Sequence, residues 1–120
     1  MTYIIRFEPE RKLVRVTAEG TEDMTAALDA MRELHANPRF KEDFRVLCDL
    51  REQRFIPTAT EAYGLGTLLE GFFSGQRFAF VIADAKHAMV QQQVLATAHA
   101  GADAKVFSDI EPAISWLEAT

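Results

Sequence analysis

The chain has 120 residues, 48% of them hydrophobic and 26% charged, which is typical of one soluble globular domain. Its net charge of -5, with the basic residues scattered among acids, argues against nucleic acid or an anionic membrane as a partner, since both require clustered Lys and Arg. The single cysteine, Cys48, cannot form an internal disulfide and fits a reducing compartment. The sequence begins with a strand pattern, and we see no secretion signal in it. The longest apolar run, residues 78–83, is too short to span a bilayer. We therefore expect one cytoplasmic domain over residues 1–120 with no stable membrane insertion.

The first fifty residues predict a hairpin, a helix and a third strand. Alternating apolar and polar residues at 3–8 and 13–19 flank a short polar segment, which is typical of a β-hairpin. Thr21 is suited to N-cap a helix that ends near Asn37, because the residue before a proline avoids the α region. The apolar residues at 44–50 predict the third strand.

Two further strands and three further helices follow. Thr58 and Glu61 have the spacing of a capping box and predict the start of a second helix. Strands are predicted at 77–83 and 105–107, with a third helix between them and a fourth after residue 107.

This order, β-β-α-β-α-β-α-β-α, predicts an α/β fold with a mixed five-stranded sheet in the order 1-2-3-4-5. Right-handed crossovers along that order would place the four helices mostly on one face. The strand at 77–83 is apolar on both of its faces, so the second face of the sheet needs a cover. Either one of the helices or a second subunit could supply it.

Known catalytic and cofactor motifs are missing from the sequence. There is no Gly-x-Ser-x-Gly elbow, no Cys-x-x-Cys pair and no phosphate-binding loop with its lysine. His35, His87 and His99 do not have the spacing of metal ligands. We therefore predict no catalytic residues, no metal and no cofactor.

One polar segment nevertheless stands out as a candidate ligand, partner or modification site. Asp49 ends the third strand, and sites in open α/β sheets collect at the carboxyl ends of strands. Arg51, Thr58, Thr60 and Tyr63 follow it with a cation and hydroxyl groups near the start of a helix. A surface loop with an ordinary helix cap and local Asp–Arg pairing would explain the same residues.

An apolar segment in the second predicted helix is the other candidate. Leu68, Phe72 and Phe73 combine with the two-sided apolar central strand to favour a two-fold homodimer. In the alternative, the chain is a monomer and these side chains pack in its own core.

The order of elements resembles the SpoIIAA-like (STAS/SEC14-type) proteins over the whole chain. The likeness rests on the Asp49 strand end, the apolar strand at 78–83 and the Val-Phe…Ala-x-x-Trp-Leu ending within 105–117. It implies a non-enzymatic regulator of the anti-sigma-factor-antagonist type, switched by serine phosphorylation. Tyr63 stands where the modified serine would be when Glu61–Gly66 is aligned with that motif. The SEC14-like side of the resemblance implies an apolar-ligand pocket.

We therefore expect a non-catalytic cytoplasmic regulatory or protein-interaction module, with another protein or a second copy as its partner. The alternative is a small protein that binds an apolar, lipid-like ligand. An enzyme would have to rely on Asp49, Arg51 and Tyr63 alone.

Overall fold

The computed structural model describes residues 2–19, 23–52, 58, 60–61, 63–64, 67–68, 75–82 and 103–119. Within them, the chain forms strands β1 (Thr2–Glu8), β2 (Leu13–Glu19), β3 (Arg45–Asp49), β4 (Arg77–Val81) and β5 (Asp103–Phe107), and helices α1 (Met24–Ala36) and α2 (Ile110–Glu118). A short 3-10 turn, Pro9–Arg11, joins β1 to β2.

The five strands form one mixed sheet in the order β1-β2-β3-β4-β5. β1 runs antiparallel to β2, with Ile5 opposite Val16, and every later pair is parallel. Cys48 lies opposite Val16 on one side and Phe80 on the other, so the centre of the sheet is apolar. The α/β class, the mixed five-stranded sheet and its order are thus confirmed.

Helix α1 covers the first face of the sheet. Its N-cap is Asp23, whose carboxylate accepts a hydrogen bond from the backbone N–H of Ala26 at 2.9 Å. The prediction that Thr21 caps this helix is therefore wrong, while its predicted end is confirmed because Asn37 is extended. The buried side chains between α1 and the sheet form a first core cluster, which includes Val14, Val16, Met31, Leu34, Val46, Cys48, Phe78 and Phe80.

Helix α2 covers the opposite face. Ala113 and Leu117 are fully buried in a second core cluster together with Leu13, Leu47, Ala79 and Val81 from the sheet. The prediction of four helices mostly on one face is not confirmed, because the two helices bounded within the described residues lie on opposite faces. The physical reason is that β3 and β4 are apolar on both faces, so each face must be covered.

Residues 60, 61, 63, 64, 67 and 68 are helical, as predicted for the second helix, and the predicted third helix lies outside the described residues.

Two arginines hold the carboxyl end of α2 against β3 and β4. Arg45 Nη1 donates to the carbonyl of Leu117, and Arg77 Nη1 donates to the carbonyl of Trp116 at 2.9 Å. Both also reach the carbonyl of Ala119, at 3.3 and 2.6 Å. The last carbonyls of a helix lack intrahelical donors and carry partial negative charge, so cations stabilise them. The helix is thereby placed over β3 and β4, away from β1.

None of the helices within the described part of the chain is both long and apolar enough to cross a bilayer.

Candidate functional site

The face of the sheet that carries α2 stays uncovered over β1 and most of β2 in the described structure. Ile4 lies opposite Thr17 and Arg6 lies opposite Arg15 in the hairpin register, and Asp49 continues this surface on β3. We call these five residues the open face. Ile4 is 43% exposed, and it is the one large aliphatic side chain that is exposed among the described residues. The open face is therefore a solvent-accessible part of the sheet with mixed charge.

Two adjoining depressions lie along this surface. The smaller, of about 190 Å³, is lined by Ile4, Arg6, Arg15, Thr17 and Glu19. The larger, of about 360 Å³, lies at the carboxyl end of β3 and is lined by Thr17, Ala18, Asp49, Arg51 and Glu52. Thr17 lines both, so the two depressions adjoin, and we call them together the groove. The larger depression is lined mainly by polar and charged groups, which favours polar contacts there over the apolar ligand that we considered from the sequence.

A bidentate ion pair fixes the carboxyl end of β3. Arg51 Nε donates to one oxygen of Asp49 at 2.9 Å, and Arg51 Nη2 donates to the other at 2.8 Å. The backbone N–H of Arg51 also donates to the first oxygen, at 3.2 Å. Burial alone would raise the pKa of Asp49, but the hydrogen bonds and charge of Arg51, helped by the charge of Arg15, hold that pKa below its ordinary value. Asp49 is thus an ionised carboxylate that is already paired.

The other predicted site residues have separate structural roles. Thr58 Oγ1 accepts from the Glu61 N–H at 3.1 Å, and Glu61 Oε1 accepts from the Thr58 N–H at 2.9 Å, which is the predicted capping box. Thr60 is exposed, and Tyr63 is 73% exposed with its carbonyl accepting from Thr67 Oγ1 at 3.1 Å. The structure brings Asp49 and Arg51 together, but Thr58, Thr60 and Tyr63 line neither depression.

The predicted apolar interface falls partly outside the described residues. Leu68 is partly buried and packs against the first core cluster, so only part of its surface is available to a partner. Phe72 and Phe73 lie outside the described residues.

The sequence-based candidates did not include the β1–β2 part of the open face. A signal was present, because Arg6, Arg15 and Thr17 share the polar side of the predicted hairpin. Pairing the two strands across the four-residue connection at 9–12 would have placed Arg6 opposite Arg15.

Neither a metal centre nor a reactive thiol emerges from the part of the chain that the structure describes. No group of three His, Cys, Asp or Glu side chains in that part could hold a metal ion. Burial raises the pKa of the Cys48 thiol to about 12, so the thiol stays protonated at neutral pH.

Comparison with protein-family models, with curated proteins and with solved structures finds no match for this chain.

Proposed function

We propose that the protein is a non-catalytic regulatory or protein-interaction module that binds its partner through the open face. The observation that carries this proposal is the exposed, mixed-charge surface of β1 and β2 beside a sheet that is otherwise packed on both faces. Interface centres combine an apolar contact with arginine, and Ile4 with Arg6 and Arg15 supplies that combination. The SpoIIAA-like resemblance adds the regulatory, cytoplasmic role to the proposal.

The electrostatics of the groove favour binding over catalysis. A general acid or base works best with a pKa near the operating pH. Asp49 has a lowered pKa and is held by Arg51 in a bidentate pair, so it is a weak base. Arginine side chains stay protonated and serve as binding groups. The groove therefore offers fixed charges for recognition.

Partner capture with matched variants tests the proposal. Ile4→Glu adds one negative charge to the open face, and Thr25→Glu adds the same charge on the exposed side of α1, on the opposite face of the sheet. The wild type and Thr25→Glu should capture the same stoichiometric protein from a native lysate, and Ile4→Glu should lose it. Equal capture by both variants, with both folded by circular dichroism, would contradict the proposal.

Self-association through the second predicted helix stays a prediction. One of its premises was an uncovered apolar second face, and α2 covers that face over β3 and β4. Light scattering of the purified protein tests it, because a monomer mass at tens of micromolar would reject a dimer.

A further inference from the structure

We infer that Arg6 and Arg15 form a binding site for a small oxyanion, either a phosphate or a carboxylate. The two residues lie directly opposite each other in the antiparallel ladder. Side chains at such positions have Cβ atoms only about 4.5–5.5 Å apart, and like charges facing each other there are unfavourable. A bound anion would convert this repulsion into two attractive contacts.

The protein's own carboxylates compensate only one of the two guanidinium groups. Glu8 accepts a hydrogen bond from Arg15 Nε at 2.5 Å and lies 3.4 Å from Arg11 Nη1. Arg6 is exposed and forms no ion pair or side-chain hydrogen bond within the described part of the chain. The pair therefore keeps one uncompensated positive charge on a surface open to solvent.

The space beside this pair suits a small anion. Its depression of about 190 Å³ is large enough for a small anion, since one water molecule takes roughly 30 Å³ in the liquid. Thr17 adds a hydroxyl group to the lining. Among the described lining residues, the acidic one is Glu19, which lies four residues from Arg15 along β2, so their Cα atoms are roughly 13 Å apart at about 3.3 Å per residue. At the other end of the depression, the two guanidinium groups of Arg6 and Arg15 face one described carboxylate, that of Glu8, so this end keeps a net positive charge.

The chemistry of arginine defines the ligand class. The planar guanidinium matches the oxygens of phosphate and carboxylate, to which it can donate two parallel hydrogen bonds. The same groups occur in phosphorylated metabolites and in small organic acids, and the shared feature recognised here is the oxyanion. The inference goes beyond the proposed function because it concerns the purified protein without a partner.

Amide chemical-shift titration of the full chain tests this inference. Inorganic phosphate and acetate are added separately at constant ionic strength, with chloride as the balancing anion. At least one of them should cause saturable shifts at Ile4, Arg6, Arg15 and Thr17. Arg6→Gln should weaken the affinity by about tenfold, as expected for the loss of charged hydrogen bonds. The affinity of Arg6→Lys should lie between those of the wild type and Arg6→Gln, because lysine keeps the positive charge but cannot donate two parallel hydrogen bonds as the guanidinium does.

The control is Arg32→Gln on α1. Arg32 Nη1 lies 3.2 Å from Asp29 Oδ1, and α1 lies on the opposite face of the sheet from the open face. It should bind the anion with wild-type affinity. The inference is overturned if neither anion causes saturable shifts in the wild type up to tens of millimolar, or if Arg6→Gln binds as tightly as Arg32→Gln. Partner capture is measured separately, so a failure here leaves that test of the proposed function intact.

Discussion

Removing the side chain of Leu117 tests whether α2 covers the second face of the sheet. Leu117 has no exposed surface and lies in one cluster with Leu13, Leu47, Ala79 and Val81. Leucine-to-alanine changes in cores cost about 2–5 kcal/mol, depending on how far the surroundings collapse into the cavity. Here one wall is a hydrogen-bonded sheet, which cannot move far, and the other is a nine-residue helix, which can shift. We therefore expect Leu117→Ala to lower the free energy of unfolding by about 3 kcal/mol.

The expected change in melting temperature follows from chain length. An unfolding entropy of about 2.1 cal/mol/K per residue gives roughly 250 cal/mol/K for 120 residues, so 3 kcal/mol corresponds to about 12 °C. Equilibrium unfolding in urea, followed by circular dichroism, measures the free energy directly and should show an unchanged slope. Ser115→Ala, at an exposed position of the same helix, is the control and should stay within about 0.5 kcal/mol of the wild type. A loss below about 1 kcal/mol for Leu117→Ala would refute the packing of α2 on this face.

Four further outcomes are expected. Gln76→Leu should destabilise the fold by about 1–3 kcal/mol in urea unfolding, because the buried Gln76 amide donates to the backbone carbonyls of Phe44 and Lys41, at 3.0 and 3.3 Å, and the variant removes both hydrogen bonds. Thr58→Ala should cost about 1 kcal/mol in the same assay while Thr58→Ser stays near the wild type, and equal losses would contradict the capping box. The pKa of Asp49, measured by NMR, should lie below its ordinary value and should rise in Arg51→Gln. The ionised Asp49 carboxylate stabilises the folded state fully above the unfolded pKa of about 3.9, and this stabilisation is lost as the pH falls through the lower folded pKa. Cys48 should resist alkylation at pH 8 until the protein is unfolded, and fast labelling of the native protein would contradict its burial.

The sheet was predictable from the sequence because its signals are local and agree with one another. Alternation at 3–8 and 13–19 indicates a hairpin, and short apolar segments separated by helical patterns indicate parallel strands. The capping box at Thr58 was equally visible, since its two partners are three residues apart. Such features depend on neighbouring residues and need no tertiary information.

Features that depend on tertiary packing were predicted less well. Thr21 and Asp23 are both good N-cap residues, and their propensities alone do not decide where α1 begins. The face taken by α2 depends on its packing against Leu47 and Val81 and on its contacts with Arg45. The β1–β2 part of the open face was missed for a related reason, because Arg6 and Arg15 become neighbours only when the register pairs the two strands.

The central claim is that the open face is the binding surface, and amide chemical-shift mapping with the captured partner tests it most directly. Labelled protein is titrated with the stoichiometric partner retained by the wild type and lost by Ile4→Glu. We predict that the largest perturbations cluster at Ile4, Arg6, Thr17 and Asp49. Perturbations that cluster instead on the outer side of α1, or on the helical residues 60, 61, 63, 64, 67 and 68, would contradict the account.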